Sequence, residues 1–350
     1  MDVETKKITI ASTRKSAGKT SLICGITKTL QTKIGYLKPF GDRLFYRKKR
    51  LWDYDFAFLK TLFRLTDEPE DVTIGFDHSK LKYMYDAESI KEKLLELAAK
   101  TGQDKDILFV EGGKDLTYGI SVHLDAISVA KSLDCKLVLV LSGTADTIVD
   151  DATFVTRFCV MPDIDFGGII VNQVHDVRDF KDSYLDMITE LGIQVLGILP
   201  YQPELTQYTV RYLAESMFAK VIAGEGGLDR IVTSVVTGAM SANVALRLPV
   251  FQKENKIVIT GGDRSDMILA AMETNSAGII LTGNLTPPAN LISKASDLNI
   301  PLLLVSEDTF RAAQHIDNME VLISKDDTEK IDLLSQLVKK NINVNEITGN

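Results

Sequence analysis

Lys19 and Thr20 are the residues whose types and spacing promise chemistry. They follow Gly18 at the end of a run of small and polar residues, Ser12 to Ala17, which itself follows an apolar, strand-like segment, Ile8 to Ala11. A helix-like run to Leu30 comes after them. Strand, small-residue loop, Gly-Lys-Thr and helix is the order of a phosphate-binding loop. In such a loop the backbone amides and the helix N-terminus converge on an anion. Lys19 adds a charge that reaches the β- and γ-phosphates, and the Thr20 hydroxyl is small enough to ligate Mg2+. Gly18 lets the backbone turn beside a phosphate with no Cβ in the way. The nucleotide-facing set expected from the motif is Ser12, Thr13, Ser16, Ala17, Gly18, Lys19, Thr20 and Ser21. One departure stands out: Thr13 occupies the place five residues before Gly18 where the strict pattern has glycine, and Ser12 lies one further back.

Other candidates fall at the ends of apolar segments. Glu111 closes the strand-like run from Asp106 to Val110 and precedes Gly112-Gly113. A carboxylate there holds Mg2+ directly or through water, or else caps a helix. Asp53 and Asp55 open a helix, where they serve either as caps or as a second metal-facing carboxylate, with Asp55 the better placed. Lys38 precedes Pro39 at a strand end; either it only tops the strand, or with Lys19 it sets two cations over one anionic site, suited to activating a carboxylate with phosphate. Asn172 ends another strand, and its amide offers a donor and an acceptor to a purine edge. In the second half, Gly261-Gly262-Asp263-Arg264 joins a strand to a helix, either as an anion or inter-domain contact or as a turn capped by Asp263 and Ser265. The basic run Arg47-Lys48-Lys49-Arg50 is read as a solvated loop or a clamp on phosphate or carboxylate. His78, His123, His175 and His315 share no metal or triad spacing.

The elements that must position these residues alternate. Aliphatic runs at 33–39, 106–110, 136–141, 168–171 and 195–199 are separated by helical patterns, the signature of a mainly parallel sheet covered on both faces. Ligands bind such sheets at the carboxyl ends of strands, and Ser12, Lys38, Glu111, Ser142 and Asn172 all fall there. Residues 40–52 read as a polar loop, the helix opened by Trp52 runs to Leu65, and 66–86 read as an irregular lid. Gly224 to Gly227 marks a joint, after which the alternation restarts, with a short strand at Val321 to Ile323, a last helix over 327–340 and a frayed tail. The fold class is therefore α/β: a first domain over 1–212 and a smaller α/β domain over 213–350.

The chain has 350 residues, 45% hydrophobic and 25% charged, and a net charge of -8. That length gives each of two domains a core. The acidic balance argues against a nucleic-acid surface. No apolar run approaches a membrane span. Cys24, Cys135 and Cys159 form no framework and read as reduced, buried thiols, which with the charged N-terminus predicts a cytoplasmic protein without a signal peptide.

The segments ASTRKSAGKTSL, YLKPFG, DYDFAFL, LFVEGG and GGIIVNQV resemble the dethiobiotin synthetase and cobyrinic acid a,c-diamide synthase group of P-loop proteins. That group's longer loop spacing places Ser12 where its first glycine is expected. GGLDRIVTSVVTGAMS, VITGGDRSDMILAAM and GIILTGN resemble the DRTGG domain. The pairing is similar to the BioD-like phosphotransacetylase family and to the region ahead of the catalytic domain in some long phosphate acetyltransferases. The resemblance implies that Lys19 and Thr20 bind ATP phosphates and Mg2+, that Asp55 and Glu111 hold metal, that Lys38 has a substrate or phosphate role, and that Asn172 lies near the base. The residues that hold a diaminopelargonate chain are not recognisable, and no phosphate acetyltransferase catalytic domain follows.

Two function classes stand open. One is a nucleotide-responsive regulatory module whose protein partner carries the activity. The other is an ATP-dependent enzyme that activates a carboxylate or carbamate on a small carboxylate substrate. A homo-oligomer, dimer or higher, is expected in either case.

Overall fold

The computed structural model describes residues 5–30, 32–47, 49–158 and 163–349, so Lys48 and Cys159 lie outside the described residues. By contacts the chain divides into two compact units, 1–202 with 323–350, and 203–322.

The first unit opens with β1 (Lys6–Ser12), the loop, and α1 (Lys19–Leu30). β2 (Ile34–Leu37) follows. Next comes a hairpin of β3 (Leu44–Arg47) and β4 (Arg50–Asp53), with Arg47 opposite Arg50. The segment expected as loop and helix start is thus paired backbone. The aromatic and aliphatic residues Leu44, Phe45, Tyr46, Leu51 and Trp52 favour strand. α2 (Tyr54–Phe63) starts where Asp53 caps it, its carboxylate accepting from the Asp55 and Phe56 amides. The expected irregular lid contains two helices, α3 (Pro69–Val72) and α4 (His78–Met84), the second capped by Asp77. Then come α5 (Ala87–Gly102), β5 (Ile107–Glu111), α6 (Ala126–Leu133), β6 (Lys136–Ser142), α7 (Ala145–Phe158), β7 (Phe166–Val174), α8 (Val177–Ser183), α9 (Leu185–Thr189) and β8 (Val195–Pro200).

Six strands form one sheet in the order β2-β5-β1-β6-β7-β8, with every pairing parallel. β5 is buried along its whole length and β6 along all but its first residue, as both-face coverage requires. The order reverses direction beside β1, so the crevice at the carboxyl end of β1 receives the loop on one side and Glu111 on the other.

The second unit contains α10 (Pro203–Thr206), β9 (Tyr208–Thr209), α11 (Val210–Ser216), β10 (Lys220–Ala223), β11 (Ile231–Val232), β12 (Ser234–Thr237), α12 (Ala242–Ala245) and α13 (Pro249–Gln252). It continues with β13 (Lys256–Gly261), α14 (Ser265–Glu273), β14 (Gly278–Thr282), α15 (Ala289–Asp297), β15 (Leu302–Leu304) and α16 (Thr309–Asp317). Its sheet runs β10-β15-β14-β13-β12, parallel except for β10. Period-two alternation splits β13 between two cores: Val258 packs with Met267, Ile279 and Leu291, while Ile257 and Ile259 pack with Leu213, Ile280 and Ala312. No strand forms at Val321 to Ile323.

The last two helices, α17 (Thr328–Asn341) and α18 (Val344–Thr348), belong to the first unit, not to the second as the sequence suggested. α17 lies on α1 at Gly25, where a Cβ would come within 2.6 Å of Val338 Cγ2 and 3.1 Å of the Leu334 carbonyl oxygen. The tail expected to fray instead buries Val344 and Ile347, and Lys6 Nζ donates to the Gly349 carbonyl at 3.0 Å. No helix among the described residues is long and apolar enough to cross a membrane.

Candidate functional site

The loop after β1 is held from three sides. Ser12, fully buried, accepts a hydrogen bond from Lys19 Nζ at 3.0 Å and donates to the Arg14 carbonyl at 2.7 Å. Thr13 Oγ1 and the Arg14 guanidinium both donate to Asp151 of α7, at 2.6 Å and 2.9 Å. Asn172 Nδ2 donates to the Ala17 carbonyl at 2.8 Å, and Gln173 Nε2 to that of Ser16 at 3.2 Å. Asn172 Oδ1 accepts from the Gln173 amide, so the amide expected to lie near a base is a brace on the loop here. Gly18 adopts φ +92, and a Cβ there would sit 2.5 Å from Asn172 Nδ2, which fixes glycine at this place twice over. Ser16 is left-handed as well, at φ 57, and exposed; Ser21 follows in the first turn of α1, half-buried.

Glu111 joins the loop to β2. Thr20 Oγ1 donates to Glu111 Oε1 at 2.9 Å, and the Tyr36 hydroxyl donates to Oε2 at 2.9 Å. Burial pushes the Glu111 carboxyl up to about 7, against the pull of Lys38. The same burial lowers Lys19 below the ordinary lysine range despite Glu111.

Lys38 departs from expectation. Its side chain is 1% exposed, and its ammonium faces carboxylates rather than an open crevice. It pairs with Asp42 at 2.6 Å, with Asp53 at 3.5 Å, with Glu111 at 3.8 Å, and hydrogen-bonds to Asp55 Oδ2. Burial alone would push the ammonium down; Asp55, Asp53, Glu111 and Asp42 outweigh it and hold it well above the lysine range. Burial also opposes charge on Asp55, but Lys38 and Arg43 hold that carboxyl at about 2. Arg43 reaches Asp55 at 3.0 Å and 3.1 Å. Asp53, raised chiefly by burial, spends one oxygen capping α2 and the other on the Asp42 and Arg43 amides. It is a structural carboxylate, as its capping position allowed.

Thr20, Glu111, Lys38 and Asp55 therefore form one connected group, with Lys19 beside it on Ser12. Sequence reading missed four contributors: Asp42, Arg43, Tyr36 and Asp151. Asp42 lies four residues after Lys38, and Tyr36 two residues before it on the same face of β2; nothing local marks Arg43 or Asp151. The oxygens of Asp42, Asp53 and Asp55 lie within 4.8 Å of one another. These are hard oxygens of the kind magnesium takes, as are those of Thr20 and Glu111, but Lys38 pairs with all three aspartates.

At the turn of the second unit, Arg264 does not present its fork outward. It binds Asp266 at 3.0 Å and 3.1 Å and the Met240 carbonyl at 2.8 Å. The bonds from Arg264 to Asp266 hold that carboxyl at about 2. Neither Asp263 nor Ser265 caps α14, whose N-cap is Arg264 with no side-chain bond. Gly262 is required by packing, since a Cβ would lie 1.6 Å from the Leu285 carbonyl oxygen. Gly261 faces Asp263, whose Oδ1 would be 2.5 Å from a Cβ there.

A parallel sheet with this loop at the carboxyl end of β1 defines a P-loop protein, and such a loop implies nucleotide binding. An AAA-domain family profile matches residues 6–209, and a DRTGG-domain profile matches 212–319. The chain belongs to the BioD-like phosphotransacetylase family, a BioD-like P-loop domain of the AAA-domain class followed by a DRTGG domain. It is 23% identical over 365 residues to the phosphate acetyltransferase of Nitratidesulfovibrio vulgaris, covering 97% of this chain and 50% of that protein. It is 25% identical over 228 residues to the cobyrinate a,c-diamide synthase of Methanosarcina barkeri, covering 64% and 42%. Among solved structures it is similar to the CBS and DRTGG domains of the regulatory region of Clostridium perfringens pyrophosphatase, with TM-score 0.28 and 23% identity over 55% of this chain and 83% of that one. The chain spans about half the length of the curated relatives it matches.

Proposed function

We propose that the chain is a nucleotide-responsive binding module. Its first unit binds Mg-ATP at Lys19 and Thr20, and its DRTGG domain conveys the nucleotide state to a partner that carries the activity. Lys19 and the loop amides hold the phosphates. Thr20 and Glu111 hold magnesium, with Asp55 the next carboxylate in the group; the metal, when bound, offsets the phosphate charge. A divalent ion favours the ionised form of its ligands, so a Glu111 carboxyl at about 7 releases its proton as metal binds.

The observation that carries the choice of module over enzyme is the enclosure of Lys38. Activating a carboxylate needs a cation aimed at the transferred phosphoryl group. Lys38 is neutralised by Asp42, Asp53, Asp55 and Glu111 and is 1% exposed. The match of phosphate acetyltransferases over half their own length supports a domain pair that accompanies a catalytic part. A homo-oligomer is part of this reading, and light scattering on the full chain measures it.

Calorimetry with Mg-ATP tests the reading. Lys19→Ala should weaken binding about tenfold or more, the scale of a lost charge-assisted contact. Arg264→Ala, which frees Asp266 at the second unit's turn, should shift ATP affinity severalfold, since coupling between sites is typically about 1–3 kcal/mol. Unchanged ATP binding in Lys19→Ala overturns the site. Steady ATP turnover driven by a small carboxylic acid would favour the enzyme instead.

A further inference from the structure

A cavity lies between the β3–β4 hairpin and the C-terminal half of α2. Its volume is about 400 Å³, and Arg47, Arg50, Trp52, Lys60, Arg64 and Glu68 line it. Four cations thus face one carboxylate. Glu68 is shared between Arg50 at 3.4 Å and Lys60 at 3.6 Å, and Arg50 also meets Glu70 at 3.7 Å. Arg47 stacks over the Trp52 ring at 5.7 Å. Among the described residues, neither Arg47 nor Arg64 has a carboxylate partner.

Two features of the lining carry a cost, and an anion would relieve the first. Arg47 and Arg50 stand directly opposite in the β3–β4 register, and like charges so placed repel across a hairpin. Arg64 occupies the left-handed C-cap of α2 at φ 57, a place where glycine is the unstrained choice. Both costs keep guanidinium groups at the cavity.

We propose that this cavity binds a small polyphosphate, a ligand with two or more phosphoryl groups, through Arg47, Arg50 and Arg64. Guanidinium forks match phosphate oxygens in pairs, so three around one space suit several phosphoryl oxygens better than a single carboxylate. The volume falls in the range of small-ligand pockets. Trp52, 7% exposed, gives the cavity a rigid aromatic wall. The overall charge of -8 argues against a broad basic surface and so favours a compact anion over a long nucleic acid. The site is independent of the loop at Lys19, so its success or failure leaves the Mg-ATP reading where it was.

The probe is inorganic pyrophosphate, titrated by calorimetry into the full chain carrying Lys19→Ala, which removes the loop's principal cation. The expected result is one remaining site. In that background Arg64→Gly removes a fork while relaxing the helix cap, so the fold persists and affinity should fall about tenfold. Glu68→Gln removes the competing carboxylate from an exposed side chain and should tighten binding severalfold. ADP binding equal to or tighter than pyrophosphate supports recognition through the phosphates. Pyrophosphate affinity that stays within about twofold in both variants, or no pyrophosphate binding to the Lys19→Ala chain, overturns the proposal. So does a single-stranded RNA oligomer that binds more tightly than pyrophosphate and is lost in Arg64→Gly, because the cavity would then be part of an extended basic surface.

Discussion

Thr20 Oγ1 donates to Glu111 Oε1 at 2.9 Å, which ties the first turn of α1 to the end of β5 across the crevice beside β1. The hydroxyl that a phosphate-binding loop offers to a metal and the carboxylate of the neighbouring strand already share one point in space. Glu111 is fully buried there with Tyr36 on its other oxygen, so its protonation state is coupled to the loop.

That coupling sets a pH dependence. The Glu111 carboxyl titrates at about 7 in the fold against 4.5 in an unfolded chain. Between those values the folded state holds a proton that the unfolded state has lost, so stability falls as pH rises through this window. The contribution is full below the unfolded value and is lost by the time pH passes the folded one, at most roughly 3 kcal/mol. Thermal melts at pH 5 and pH 8 should show a smaller difference in Glu111→Gln than in the wild type. An unchanged difference removes Glu111 from the titration.

Lys38 makes the opposite prediction. Removing a buried partner leaves uncompensated charge, so Lys38→Met should destabilise by roughly 3–5 kcal/mol. Four carboxylates lose their shared cation, only Asp55 keeping Arg43, so millimolar Mg2+ should raise the melting temperature of Lys38→Met more than that of the wild type. Adding Asp55→Asn to the variant should recover part of the loss. If Lys38→Met melts like the wild type, the enclosure carries no energetic weight.

Gly18 faces Asn172, and the pair tests the loop's geometry. Gly18→Ala places a methyl 2.5 Å from Asn172 Nδ2 at φ +92. The expected cost is about 1–3 kcal/mol from backbone strain, and Mg-ATP binding should be lost. Asn172→Ala alone should weaken ATP binding less, since it removes a brace and leaves the backbone free to close. Pairing it with Gly18→Ala should not restore binding, because the clash is relieved but the dihedral strain is not. Full rescue by the double variant would show that only the clash mattered.

The return of α17 to α1 predicts how the chain divides. Residues 1–212 alone lack the helix that covers Gly25, and lose the bonds that Lys28 and Thr29 of α1 make to Asp332 and Ser335 of α17. That fragment should melt well below the full chain and recover when 323–350 are joined to it through a short linker. Residues 203–322 contain two complete core clusters and should fold alone. Limited proteolysis followed by mass spectrometry checks the boundaries; a stable fragment ending near 212 would count against them.

By itself, the sequence determined what depends on local chemistry. The order of strand, small loop, Gly-Lys-Thr and helix, the run of aliphatic strands and the placement of Glu111 at a strand end are legible because side-chain period and turn residues act over a few positions. Tertiary structure decided whatever depends on neighbours distant along the chain. Lys38 looked like a ligand-facing cation because a lysine at a strand end has no local sign of its partners; Asp42, Asp53, Asp55 and Glu111 converge on it only once β2, the β3–β4 hairpin and β5 are assembled. Asn172 showed its donor but not the Ala17 carbonyl that takes it. The apolar stripe of α17 announced that the helix must be covered, but an amphipathic pattern carries no record of which unit covers it, and packing against α1 assigned it to the first.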